Sequence, residues 1–207
     1  MKEKTKVLDK EWILSQLEIP EELKEGYKIC MEGDEYWKQG RILDAIECFE
    51  KALVFFQEKK AYKELANVLE ALGDMYFMRQ KIEPALRAYK ACLDICENFE
   101  DELSVAIIAE KIVHVYRELK EYEKMLPYLN RLLDIAEKFG DAHRAARAMA
   151  GMGDVYAWKK DFQTAREAYE IALKIYKGMG AGELAKVIED AIKEIEKMEE
   201  AENAGKD

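Results

Sequence analysis

Cys92 and Cys96 stand four residues apart, which puts both thiols on one face of a helix, where they could offer two ligands to a soft metal. A closed zinc centre needs four ligands, and neither His114 nor His143 has a cysteine or histidine at metal-binding spacing. Cys92 also shares a position with Ala52 and Ala172, at a fixed step of 40 residues, so it reads as a small, buried, inert thiol. The chain contains no G-x-x-x-x-G-K-[ST] phosphate loop, no G-x-S-x-G nucleophile turn and no H-E-x-x-H pair. Asp and Glu are so frequent that pairs of carboxylates single out nothing. The sequence therefore predicts no catalytic residue, no metal and no cofactor, and the chain does not read as an enzyme.

The bulk numbers narrow the class further. Of 207 residues, 37% are charged and 49% apolar, and the formal charge is −10. Such a surface repels a nucleic acid duplex, since phosphate is bound through Lys and Arg and no dense basic run occurs. It favours solubility and neutral or basic partners. No apolar run reaches the roughly 20 residues that cross a bilayer, and residues 1–9 lack the apolar stretch of a secretory signal. Four cysteines in a chain this long do not suggest a stapled secreted domain, so a reducing cytoplasm is the expected location. Abundant Glu and Lys with few Asn and Gln resemble a thermophile's composition.

What must position any functional side chain is a repeat. Tyr36, Tyr76, Tyr116 and Tyr156 stand 40 residues apart, and so do Gly33, Gly73, Val113 and Gly153. Ala45, Ala85, Met125 and Ala165 form another such column, as do Phe49, Tyr89, Leu129 and Tyr169, and Leu53, Leu93, Leu133 and Leu173. A step of this size denotes stacked units that cannot bury their apolar faces alone. Within each unit the apolar residues recur at helical spacing, as at 45, 49, 52, 53 and 56. First helices are expected over about 21–39, 62–80, 102–120 and 142–160, and second helices over about 42–59, 82–99, 122–139 and 162–178. Two- to three-residue turns make neighbours antiparallel. Pro84 falls in a first turn, where its missing N–H costs little. Asp141 and Asp161 read as N-caps. Pro127 lies a turn into its helix and should delay the start or remove a hydrogen bond. The columns suggest that Gly33, Gly73 and Gly153 face Ala45, Ala85 and Ala165. With Val113 and Met125 in the third pair, a wider or tilted contact is expected there.

Residues 1–20 carry Val7, Leu8, Trp12, Ile13, Leu14 and Leu17. They form either a capping helix on the first repeat or an apolar arm for a partner. Residues 181–200, with Leu184, Ile188, Ile192 and Ile195 on one stripe, read as a C-terminal capping helix, followed by a frayed tail over 201–207.

The run Leu69, Leu72, Gly73, Tyr76, Ala85, Tyr89, Cys92 resembles the tetratricopeptide repeat, and Met149, Met152, Gly153, Tyr156, Ala165, Tyr169, Ala172 repeats it. Ile29, Gly33, Tyr36, Ala45, Phe49, Ala52 is a third copy, and Ile112, Val113, Tyr116, Met125, Leu129, Leu132 a weaker one. The period is longer than the family's usual 34, and Gln57, Glu97, Glu137 and Lys177 stand where the family's late proline would be. The chain resembles the longer-period variety found in adaptors of G-protein signalling. The resemblance implies an all-α, right-handed α-α superhelix, a solenoid of four helix pairs over about 21–60, 61–100, 101–140 and 141–180, with N- and C-terminal capping helices.

The resemblance also implies a concave groove lined by the first helices, in which a peptide or helix of another protein binds. Carried over position by position, the groove residues are Tyr27, Cys30, Asp34, Trp37 and Lys38 in the first repeat and Asn67, Glu70, Asp74, Phe77 and Met78 in the second. The third repeat supplies Ile107, Glu110, His114, Arg117 and Glu118, and the fourth Arg147, Ala150, Asp154, Ala157 and Trp158. Asp34, Glu70 and Asp74 beside Trp37 and Phe77 suit a basic, apolar-studded peptide, whereas Arg117 and Arg147 suit a carboxylate. The bland alternative is that these charges are solvated and that Trp37 packs on a neighbouring repeat. The family's Lys/Asn clamp for a chain terminus is missing, since Cys30, Asp34 and Ala71 hold its positions. Asn67 is the lone groove asparagine that would hold an extended backbone. The expected function is a scaffold or adaptor that binds another protein. The alternatives are a self-associating dimer that inserts Trp12, Ile13 and Leu14 into a neighbour's groove, and a regulatory module of a signalling or transcription complex.

Overall fold

A computed structural model describes residues 19–204. The first 18 residues, with the expected N-terminal cap or arm, and residues 205–207 lie outside it. Among the described residues nine α-helices follow one another: α1 Lys24–Lys38, α2 Ile42–Lys59, α3 Tyr62–Met78, α4 Ile82–Asn98, α5 Glu102–Glu118, α6 Leu126–Phe139, α7 Ala142–Trp158, α8 Phe162–Gly178 and α9 Gly182–Ala204. Single 3₁₀ turns, Glu21–Leu23 and Tyr122–Met125, precede α1 and α6. No strand occurs among the described residues. The architecture is the all-α helical-repeat type that the columns imply.

The connections explain the step. A residue in the left-handed region stands at every twentieth position from 40 to 180: Gly40, Lys60, Gln80, Glu100, Lys120, Gly140, Lys160 and Gly180. Around most of these, the N–H of the residue that follows donates to a carbonyl in the last helical turn, as in Arg41 to Tyr36, Lys81 to Tyr76 and Asp161 to Tyr156, at 2.8–3.0 Å. This bond satisfies carbonyls that a helix end otherwise leaves bare and reverses the chain in three residues. At the following N-termini, Asp141 accepts from the Arg144 N–H at 2.9 Å and Asp161 from the Thr164 N–H at 3.2 Å, as their positions suggested. Asp101 does the same for Ser104. Pro127 lies in the first turn of α6, and the 3₁₀ turn before it takes up the delay that the proline imposes.

The chain divides after Phe99 into two compact units. The first holds α1–α4. Its core gathers Leu23, Ala45, Ile46, Phe49, Ala52, Phe56, Val68, Leu72 and Met75. The second holds α5–α9. There Ala146, Phe162, Ala165, Tyr169, Ala172 and Tyr176 pack with Ala185, Ile188 and Ile195 of α9, so α9 closes α8 through one apolar stripe. Its helix continues to Ala204, through residues expected to fray.

The glycine column works differently from the expectation. A Cβ on Gly33 would lie 2.8 Å from the Phe49 ring, one on Gly153 would lie 2.6 Å from the Tyr169 ring, and one on Gly73 would run into Tyr89. The glycines make room for the ring sixteen positions later, not for the alanines. The alanines Ala45, Ala85 and Ala165 are each fully buried. By register, the third repeat exchanges both members of this contact: Val113 replaces the glycine and Leu129 the ring, and both are buried. Val113 and Met125, whose bulk led to the expectation of a wider or tilted third contact, are both buried. The third pair differs visibly from the others in the late start of α6.

Candidate protein-binding surface

The residues carried over from the repeat pattern all fall on α1, α3, α5 and α7. None is buried: each is half-buried or exposed, while the positions between them on the same helices, such as Gly33, Ala66, Leu72, Val113 and Ala146, form the cores. The 3.6-residue period produces this division, because one stripe of each first helix must meet its hairpin partner and the opposite stripe cannot.

In the first unit, α1 presents Tyr27, Cys30, Asp34, Trp37 and Lys38, and α3 presents Asn67, Glu70, Asp74, Phe77 and Met78. Tyr27, Cys30 and Trp37 also pack against the core. Tyr27 stands edge-to-face on Phe56 at 5.8 Å and donates to Glu64 at 3.0 Å, tying α1 to α3. Trp37 is thus partly the packing residue of the bland reading. The Cys30 thiol is pushed up to about 12 by burial, with Asp34 and Cys48 adding to it, so it is no ready nucleophile. Cys92 and Cys96 are buried, and the Cys92 thiol donates to the Ala66 carbonyl at 3.2 Å, in keeping with an inert core residue. All four cysteines are thiols.

Asp74 accepts from the Tyr89 hydroxyl at 2.6 Å, and in the second unit Asp154 accepts from Tyr169 at 2.6 Å. In both hairpins the ring that fills the glycine notch ends on a carboxylate of the exposed first-helix stripe. Asp34 has no such bond, because Phe49 carries no hydroxyl. Partial burial raises the Asp34 carboxyl, and Lys38 opposes the rise. The carboxylate series is therefore not uniform, a difference that was already written in the sequence as Phe49 against Tyr89 and Tyr169.

The tyrosines couple this network to pH. Burial, then the bond to a carboxylate, pushes Tyr27 and Tyr76 up to about 12, and Tyr89 and Tyr169 are raised further for the same reasons. A raised pKa means that the folded state holds its proton more tightly. The contribution is complete below the unfolded value of about 10 and is lost as pH climbs toward 12 and beyond. Urea midpoints should therefore be insensitive to these groups up to about pH 9 and fall steeply above about pH 10. In a Tyr89→Phe/Tyr169→Phe variant the fall should be shallower, and an identical slope would show that these bonds do not carry the effect.

The second unit places Ile107, Glu110, His114, Arg117 and Glu118 on α5 and Arg147, Ala150, Asp154, Ala157 and Trp158 on α7. Ala150 and Ala157 lean on the core, and Trp158 lies 6.1 Å from the Tyr122 ring. The two arginines are already engaged. Arg117 donates to Asp154 through Nε at 3.1 Å and Nη2 at 2.9 Å, and Arg147 donates to Glu110 at 2.9 Å. Arg144, absent from the carried-over set, donates to Glu110 at 3.1 Å and to Asp141 at 2.7 Å and is only 17% exposed. Its position three residues before Arg147 was the available signal, since i and i+3 share a helix face. A recess of about 100 Å³ opens here, with Val113, Leu129, Leu132 and Ala148 among its lining and Glu110, His114, Arg117, Arg144 and Arg147 around it.

Among the described residues no group of three metal-binding side chains comes together, and no helix is long and apolar enough to cross a membrane. Repeated hairpins with notched glycines, paired rings and an accessible first-helix face define a helical-repeat protein of the interaction-scaffold architecture. The tetratricopeptide-repeat family model matches residues 33–98 and 104–178, well over half of the chain, and the chain belongs to that family. No curated protein sequence matches it significantly. Among solved structures, the apo form of RapI is similar at 16% identity and a TM-score of 0.77, over 94% of this chain and 54% of that one. BtubC from P. vanneervenii is similar at 20% identity and a TM-score of 0.60, covering 86% and 83% of the two chains. A Rap protein complexed with Competence and Sporulation Factor is similar at 18% identity and a TM-score of 0.57, over 95% of this chain and 56% of that one. The chain thus spans about half the length of the two Rap proteins. These likenesses are to the fold.

Proposed function

We propose that the chain is a protein-interaction scaffold that binds a peptide or helix of a partner along the exposed stripe of its first helices. The observation that carries this reading is the partition of those helices. Their small and apolar positions are consumed by the hairpin cores, while the facing stripe keeps acids, arginines and half-exposed aromatics within reach of a ligand. Half-buried aromatics beside carboxylates are the usual anchors for a basic, apolar-studded segment. The Rap protein solved with Competence and Sporulation Factor is a structural relative with a bound factor, which supports a binding role.

The variant that tests this must spare the fold. Asp74 is bonded to Tyr89, so reversing its charge would damage the hairpin as well as the surface. Asp34, exposed and without a tyrosine partner, is the better choice. Peptides selected on the wild-type protein from a random display library should be enriched in Lys, Arg and aromatic residues. They should bind an Asp34→Lys variant about tenfold or more weakly, with helical content unchanged. Selected peptides that bind the variant equally well would place the interaction on another face.

A further inference from the structure

The recess on the second unit gathers cationic side chains in a chain that is acidic overall. Three guanidiniums, Arg117, Arg144 and Arg147, stand around it, although the chain carries a formal charge of −10. Its remaining lining includes apolar Val113, Leu129, Leu132 and Ala148. Gly151 makes room for the Leu129 side chain that lines the recess: a Cβ there would lie 2.7 Å from Leu129 and 3.5 Å from an Arg117 nitrogen. Three carboxylates already engage these arginines: Asp154 holds Arg117, Asp141 and Glu110 hold Arg144, and Glu110 holds Arg147. Glu110 accepts from Arg144 with one oxygen and from Arg147 with the other, at 3.1 and 2.9 Å. Each guanidinium has five N–H donors, and Glu110 takes one from each of these two arginines. Arg147 is 52% exposed, so its further donors are open to a ligand.

We infer that this recess is a binding site for an acidic side chain of glutamate type on the partner polypeptide. The apolar lining receives the methylenes, and the carboxylate joins or displaces Glu110 between the arginines. The fit is one of charge and size. A space of about 100 Å³ with an apolar interior and a guanidinium rim suits a short aliphatic stem ending in an anion. Glu110 is the internal stand-in that keeps Arg144 and Arg147 aligned while the site is empty. This inference rests on the scaffold reading and adds an acidic element to the basic and apolar ligand expected for the first unit.

The test uses small probes on the full chain, so it does not depend on finding the partner. Arginine Nε–Hε resonances are followed by NMR during titration with N-acetylglutamate α-amide, with N-acetylglutamine α-amide as the neutral control and N-acetylleucine as a terminal carboxylate. The arginine signals should shift saturably with the glutamate probe, about tenfold more weakly or not at all with the other two. Arg147→Ala should weaken the glutamate probe about tenfold, and Glu110→Gln should strengthen it severalfold by removing the competing anion. The inference is overturned by the absence of saturation, by tighter binding of N-acetylleucine, or by a Glu110→Gln variant that binds no better. The first-unit peptide assay with Asp34→Lys is independent of all three outcomes. Failure here with success there would remove the acidic site and leave the scaffold reading intact.

Discussion

Gly73→Val is expected to destabilise the first unit by about 1–3 kcal/mol, because the new side chain must displace the Tyr89 ring from a fully packed hairpin. The gain in helix propensity from replacing glycine is about 0.5 kcal/mol and offsets little of this. The more informative result concerns the pair. The third repeat holds Val113 and Leu129 where the second holds Gly73 and Tyr89, both buried without the ring. Gly73→Val combined with Tyr89→Leu should therefore be less destabilised than the sum of the single changes, with a coupling of about 1–2 kcal/mol. Urea unfolding of the four proteins in the cycle measures it. Additivity within about 0.5 kcal/mol would mean that the notch and the ring are not matched parts.

Replacing Lys60, Gln80, Glu100, Lys120 and Lys160 together by glycine is expected to raise stability markedly. Each stands at a positive φ between 55° and 61°. For a residue with a Cβ this conformation costs about 1–2 kcal/mol. Glycine adopts it freely but gives up about 0.5–1 kcal/mol of chain entropy, so the net gain is roughly 0.5–1 kcal/mol at each site. The sites are 20 or more residues apart in sequence, and their effects should add to about 3–5 kcal/mol. The native sequence supplies the control, because Gly40, Gly140 and Gly180 occupy the equivalent turns. Gly140→Ala should lose about 1 kcal/mol. Calorimetry that finds the fivefold variant no more stable than the wild type would show that these turns carry no strain.

The helices were legible in the sequence because their signals repeat. The 40-residue step, the apolar stripe and the Asp N-caps each report the same hairpin, and the helix starts at 42, 62, 82, 102, 142 and 162 follow from them. Pro127 announced the late start of α6 for a local steric reason. The partner of the glycines was not legible. Column spacing shows which residues recur together but not which face each other, and two small residues suggested mutual contact where a large ring and a notch were the actual match. On the exposed stripe of the first helices, accessibility could be read from the helical period, but the internal engagement of the charges could not. Whether Arg117 waits for a ligand or holds Asp154 depends on reach between α5 and α7. Two residues 37 positions apart do not declare that distance in a linear string.

Asp74 and Asp154 differ from ordinary surface acids in one respect that bears on selection. Each is pinned by a phenol rooted in its own hairpin, so its oxygens cannot swing to meet an ill-placed cation. On the proposed function, a guest would forfeit little of the host's freedom there, yet it would have to bring its charge to a fixed mark. Asp34, lacking a phenol, could follow such a guest. Within the first unit, one tolerant contact and one unyielding one together would measure the spacing of positive groups along a bound polypeptide, as a ruler with a single hard stop does.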